Sequence, residues 1–198
     1  MPLYSLAVFY KTGHEARELS SAMDLNSFSY FQRGSIGEFM GFTGKIIVER
    51  SPLCSRSAVK EQGYMVHAYV RQDGLSAVVV SNEEYPSRVA QNLLSRTLDA
   101  FADAVPSSKW ATIKESEVNF KDCSVNLAKW QDPNQADALS RVQSEIDETK
   151  VVLHNTIAAV LERGEKLDDL VAKSDELSSQ SKMFYTQARK MNKCCNWV

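Results

Sequence analysis

The hydrophobic pattern changes character once along this 198-residue chain. Up to about residue 131 the apolar positions fall in short runs. LYSLAVFY (3–10), YMVHAYVR (64–71) and LSAVVVS (75–81) are rich in β-branched and aromatic residues and predict strands. Gln72-Asp73-Gly74 separates the last two and predicts a tight hairpin. ARELSSAM (16–23) predicts another strand, with NSFSYF (26–31) as an extended connection. A helix is expected from Ser35, a plausible N-cap with Glu38 three residues on, and Phe39, Phe42 and Ile46 lie at helical spacing within it. Pro86 opens a second helix whose apolar face is Val89, Leu93, Leu94, Leu98 and Phe101. Trp110 to Gln131 is weakly periodic and predicts a short helix with loops. Strands with helices packed on them predict an α+β domain, not a parallel doubly wound sheet.

Asp132-Pro133-Asn134 marks a boundary, because Pro133 disfavours helix at Asp132. Beyond it, residues 134–193 contain no proline and one glycine. Stepping by alternate threes and fours from Leu139 gives Val142, Ile146, Leu153, Val160, Leu167, Leu170, Leu177, Phe184, Ala188 and Met191 as further apolar positions. Thr149, Thr156, Arg163, Ser174 and Ser181 fill the remaining steps, and the register never slips. This is a coiled-coil seam, roughly 80 Å long if fully helical. A single helix cannot bury such a stripe against itself. It needs partner helices.

Arg163 stands at the centre of the seam. A guanidinium in an apolar layer is costly unless its donors are satisfied, so it either snorkels to solvent or meets acceptors from other helices. Ser174 and Ser181 also lie on the seam; they are compatible with a core as they stand and are candidate phosphorylation sites. A phosphate would place roughly −1.5 to −2 charges inside a bundle.

Composition narrows the function classes. Hydrophobic residues make up 43% and charged residues 24%, with a net charge of −2, which argues for a folded protein and against one that coats nucleic acid. Residues 131–181 carry 11 acidic and 5 basic groups, whereas 182–198 carry 4 basic and none acidic. No apolar run reaches the roughly 18–20 residues of a membrane span, and the first 20 residues have a short apolar run without a basic leader, so no secretory signal and a soluble cytoplasmic chain are expected. Its end is Cys194-Cys195-Asn196-Trp197-Val198. A cysteine four from the end is what prenyl transferases read, and two lipids anchor stably where one does not. The basic residues upstream suit an anionic bilayer surface.

Chemistry for catalysis is missing. GFTGKI (41–46) lacks the spacing and the Ser or Thr of a phosphate-binding loop, which weakens the alternative of a prenylated small GTPase. His14, His67 and His154 are scattered, and Cys54 and Cys123 stand alone, so no metal site, cofactor site or catalytic residue is expected.

VLERGEKLDDL (160–170) resembles the central layer of an R-SNARE, and DETKVVLHNTIAAVLERGEKLDDLVAKS (147–174), SFSYFQRG (27–34), VKEQGYMVHAYVR (59–71) and EYPSRVA (84–90) extend the likeness to prenylated longin-type R-SNAREs. The resemblance implies a longin (profilin-like) domain over 1–131, with a five-stranded antiparallel sheet flanked by helices. A long SNARE coiled-coil helix over 132–192 and a lipidated tail over 193–198 would follow. It implies that Arg163 meets three glutamines of Q-SNARE helices in a four-helix bundle, which the SNAP and NSF machinery later disassembles. It further implies prenyl on Cys195 and a second lipid, palmitoyl, on Cys194. The terminal Asn196-Trp197-Val198 departs from the usual aliphatic tripeptide. The implied work is membrane docking and fusion in endoplasmic reticulum–Golgi, intra-Golgi, endosomal and autophagosomal transport. The implied places are the cytosol and the cytoplasmic faces of those membranes and vesicles. A non-fusogenic coiled-coil tether is the other alternative.

One feature of the first half bears on the second. Phe39, Phe42, Ile46 and Ile47 are four large apolar residues within nine positions, more than one helix face can bury in its own sheet. Either all are core, or Phe39, Phe42 and Ile46 line a groove that takes up the SNARE segment and lipid in a closed, monomeric, autoinhibited form.

Overall fold

The computed structural model describes residues 2–61, 63–113, 118, 120–134 and 150–194, with side chains to residue 190. The first half runs β1 (Leu3–Thr12), β2 (Glu15–Met23), α1 (Tyr30–Arg50), β3 (Ser55–Glu61), β4 (Tyr64–Val70), β5 (Leu75–Asn82), α2 (Ser87–Ala104) and α3 (Asp122–Lys129). After the boundary come β6 (Val151–His154), α4 (Leu167–Lys173) and α5 (Ser179–Cys194). The sheet runs β2-β1-β5-β4-β3-β6, antiparallel throughout except for the parallel β3–β6 pair. Its first five strands are those of the longin sheet. The sixth is lent by the heptad segment.

Period-2 alternation sorts the strands between two cores. Leu6 and Val8 of β1 and Leu75, Ala77 and Val79 of β5 face α2 and α3, with Leu93, Leu94, Leu98, Phe101 and Trp130. Ala7 and Phe9 of β1, and Val78 and Val80 of β5, face the other way with Ile47 and Val48 of α1. Both central strands are thus covered on both faces, which is why they read as continuous apolar runs. In the β4–β5 turn Gly74 has φ +83°, and a Cβ would sit 2.5 Å from the Lys11 carbonyl oxygen. Only glycine fits there.

Polar tethers close the domain. Gln131 clasps the first residue of β1, its amide oxygen accepting from Leu3 N–H and its amide nitrogen donating to Leu3 O, both at 2.9 Å. The Tyr85 hydroxyl donates to Trp130 O at 2.8 Å. Lys11 Nζ donates to the carbonyls of Val48 and Glu49 at 2.9 and 2.8 Å, capping the C-terminus of α1 where the helix dipole favours a cation. Arg56, 2% exposed, ties β3 to α2 by donating to Gln91 and Ser95 and lies 3.6 Å over the Tyr69 ring.

Two sequence expectations are corrected. α1 starts at Tyr30 with Ser29 as its N-cap, and Ser35 is buried inside the helix. The apolar spacing begins late because the first turn, Tyr30 and Phe31, points to solvent. β3 is a strand the apolar pattern does not predict, because SRSAVKE has only two apolar residues and its polar ones are held by α2 and β6. No helix among the described residues is long and apolar enough to cross a membrane.

His67 of β4 is fully buried with no hydrogen-bond partner on either ring nitrogen, and burial pushes its pKa down to about 4. A lowered imidazole pKa means that the unfolded chain takes up a proton that the folded chain refuses. Stability should therefore be complete above pH 6.5 and decline as pH falls towards 4, by up to about 3 kcal/mol. Denaturant titrations at pH 7.5 and 4.5 should show this loss in the parent and not in His67→Leu; parallel losses would assign it to other groups.

Candidate functional site: the outer face of α1

The apolar residues of α1 point in two directions. Ile47 and Val48 enter the sheet core, whereas Phe42 and Ile46, 8% and 4% exposed, turn away from it. What covers them is the heptad segment: Val171 of α4 and Leu177 complete a third apolar cluster, with Phe39, Leu161, Leu167, Leu170 and Tyr185 at its margin. Burying a Phe or Ile side chain stabilises by about 1.5–3 kcal/mol, so this contact outweighs every exposed ion pair around it.

The segment follows the domain from the edge of the sheet to the start of α1. β6 pairs with β3 in the register Arg56↔Val151 to Val59↔His154. Ile157 then enters the α1-side core, its N–H donating to Glu61 at 3.1 Å. A turn follows, in which Gly164 has φ +93°. Arg50, at the end of α1, grips Glu165 beyond that turn with two hydrogen bonds of 2.9 and 2.8 Å. The Arg50 guanidinium holds the Glu165 carboxyl down to a pKa of about 2. α5 packs against α1 at Glu38 and Phe39 and reaches Asp168 with Tyr185 and Arg189. Lys45 pairs with Glu176, Glu38 accepts from Ser178 N–H at 2.8 Å and from the Ser181 hydroxyl at 2.7 Å, and the Phe39 and Tyr185 rings stack 5.3 Å apart. The Ser178 N–H, then the Ser181 hydroxyl, keep the Glu38 carboxyl below its usual range.

Between α1, the sheet and the segment lies a cavity of about 550 Å³. Phe28, Ile36, Met40, Tyr64, Val66 and Phe184 are among its apolar walls, and Glu61, Asp168 and Arg189 are among its charged ones. It is the size of a small-ligand pocket and suits an alkyl chain better than a polar molecule.

The candidate residues are distributed as follows. Val160, Leu167, Leu170 and Leu177 of the seam pack on the longin half, and Phe184 and Ala188 line the cavity. Leu153, on β6, is 63% exposed. Arg163 is exposed in the turn. Ser181 is 1% exposed, and Ser174 accepts from the N–H groups of Glu176 and Leu177 at 3.2 and 3.3 Å. Leu139, Val142, Ile146 and Cys195 lie outside the described residues, as do the side chains of Met191 and Cys194. Where the heptads predict one helix, residues 150–194 form a strand, a 3₁₀ turn at Ile157–Ala159 and two helices. Sequence reasoning also missed Ile157, Leu161, Val171 and Tyr185, which lie off the seam and carry much of this packing. Their signal is apolar character outside the heptad stripe.

Comparison with known proteins agrees with this two-part organisation. The Regulated-SNARE-like (longin) family model matches residues 25–125, and the Synaptobrevin model matches residues 138–198. The chain is 49% identical to the synaptobrevin homolog ykt6 of Schizosaccharomyces pombe over 195 residues, covering 98% of each chain. It is 45% and 44% identical to the YKT6 homologs of Eremothecium gossypii and Saccharomyces cerevisiae, again over 98% of each chain. The chain belongs to the YKT6 family of synaptobrevin homologues. It is therefore a SNARE of vesicle traffic, a component of SNARE complexes and not an enzyme. The small-GTPase alternative falls with that assignment.

Two predictions arise from this geometry. Alanine at Gly164 would be strained at φ +93°, by about 1 kcal/mol or more, and would gain about 1 kcal/mol in a helix. Both effects oppose the turn, so Gly164→Ala should weaken the packing of residues 150–194 on α1 about thirty-fold, which small-angle scattering and a 150–194 to α1 energy-transfer pair would register. Unchanged compactness would remove the turn as a constraint. Ser181→Asp sets a second carboxylate against Glu38 and should free α5, raising its amide exchange far more than Ser181→Ala, which loses only a hydrogen bond worth about 1 kcal/mol. As a lowered carboxyl pKa requires, the Glu38 contact should persist above the ordinary carboxyl range and weaken as pH falls through it.

Proposed function

We propose that this YKT6-family protein is an arginine-contributing R-SNARE whose fusion segment is stored, inactive, on its own longin domain. The observation that carries this reading is the burial of Phe42 and Ile46 by Val171 and Leu177, with six seam residues turned towards the longin half. A side chain such as Leu177 cannot lie in this cluster and in a four-helix bundle at once. Storage and assembly therefore exclude each other, and a partner bundle must compete against the closed contact.

In the open state residues 138–191 join three Q-SNARE helices. Arg163, exposed in the closed turn, then directs its donors to three glutamine oxygens and fixes the register. SNAP and NSF return the assembled bundle to separate chains. Cys195 carries a prenyl group and Cys194 a palmitoyl, and the lipid lies in the cavity beside Ile36 and Phe184 while the protein is cytosolic. Release places it in the cytoplasmic leaflet of Golgi, endoplasmic reticulum, endosomal or vesicle membranes. Phosphorylation at Ser174 or Ser181 puts charge on the seam, and at Ser181 also beside Glu38. No prosthetic group takes part.

Phe42→Glu and Arg163→Ala test the two halves of the proposal. Phe42→Glu should leave the longin sheet folded, because Phe42 is outside the sheet cores, while shifting the protein from cytosol to membranes and speeding capture of Q-SNARE helices. Arg163→Ala should leave closure intact and yield bundles with disturbed register or disassembly. Melting, membrane fractionation and assembly kinetics read these out. A native, fully cytosolic Phe42→Glu protein would reject storage, and wild-type assembly and recycling by Arg163→Ala would reject the central-layer role.

A further inference from the structure

The walls of the cavity between α1, the sheet and the segment differ in how they are held. Among the described residues, every wall from the longin half stands on α1, β3, β4 or β5, except Phe28. Phe28 lies in the connection 24–29 between β2 and α1, so neither a helix nor a strand ladder sets its ring. Individual contacts do so instead. The ring packs 5.3 Å from that of Tyr4 and 6.3 Å from that of Tyr64, which is itself a wall. The backbone beneath it is held from α1, where Arg33 donates from Nε to Phe28 O and from Nη2 to Asn26 O, both at 3.1 Å. The guanidinium spans both carbonyls as one rigid, planar unit. The Asp24 N–H donates to Tyr4 O at 2.8 Å and fixes the start of the connection on β1. Arg33 does not line the cavity itself.

A wall carried by a connection can shift without breaking a helix or a strand register, so Phe28 is the wall whose position is most open to adjustment. On the lipid reading above, what the cavity takes up is an alkyl chain. α5 supports that occupant, because Phe184 and Ala188 are walls on the helix that ends at Cys194. Affinity for such a chain grows about four-fold with each methylene that leaves water, until a wall stops its advance. The wall that stops it therefore decides which chain length is held best.

We propose that Phe28 is the wall that sets the length of alkyl chain the cavity accepts, and that Arg33 is the positioning residue that holds it there. The proposal rests on the lipid reading above and adds a length limit to it. A chain that fits ends against the Phe28 ring, and a longer one leaves its excess methylenes in water.

The test uses the full chain without lipid modification and the fluorescent probe N-phenylnaphthylamine, displaced by primary alcohols from decanol to octadecanol. For the parent, displacement should strengthen about four-fold per methylene and then level off at the length where the chain meets Phe28. Phe28→Ala should move that break to longer alcohols, and Phe28→Trp should move it to shorter ones. Arg33→Ala should also move it to longer ones, although the Phe28 ring is intact, and it keeps the test valid where Phe28→Ala melts early. A loss of affinity that is equal for all alcohols, with the break in place, would show a merely structural role and overturn the proposal. An unmoved break with parental affinities would overturn it too, while leaving the lipid reading standing. A parent that takes up neither probe nor alcohol would overturn the lipid reading and this proposal with it.

Discussion

The packing of α4 and α5 depends on the outer side of α1. A helix packed on one sheet needs one apolar face, and α1 has two. Phe42 and Ile46 would stand in water if the segment were absent, and Val171 and Leu177 would stand in water if α1 were absent. Neither half of the chain can satisfy its hydrophobic surface alone. Covering it through one polypeptide costs only the closure of a linker, whose entropy grows slowly with length.

The polar contacts have a different task. Lys45–Glu176 and Arg189–Asp168 are largely exposed, and pairs of that kind contribute from nothing to about 1 kcal/mol. Arg50–Glu165 is better built, bidentate and only 14% exposed on the arginine side. These pairs set register. Apolar burial can slide, but Arg50 fixes the turn at Glu165, and Glu38 fixes the start of α5 at Ser178 and Ser181. Removal of either pair should loosen the placement of the segment before it releases it.

Much of the longin half was legible because its strands alternate over two covered faces and its hairpin has a glycine that cannot be replaced. β3 was not, since its polar residues are satisfied only by distant partners: Arg56 needs Gln91, Ser95 and Tyr69, none of them local. The start of α1 was misplaced because its first turn is apolar where periodicity expects burial. In the second half the heptads were read as one helix, and a heptad pattern encodes the state with partner helices. The closed state is written in a second, weaker pattern. Ile157, Leu161, Val171 and Tyr185 are apolar or aromatic off the seam, where a bundle asks for solvated residues.

That second pattern settles why the segment is not an ideal coiled coil. A sequence optimised for the bundle alone would have alanine at position 164 and charges at 157, 161, 171 and 185. This chain has instead a glycine suited to φ +93° and four side chains suited to α1 and the sheet. Each choice weakens the isolated helix or exposes apolar surface in the bundle, and each stabilises the folded-back form. On the storage proposal, a single charge or a single backbone constraint at these positions can move the balance between the two states.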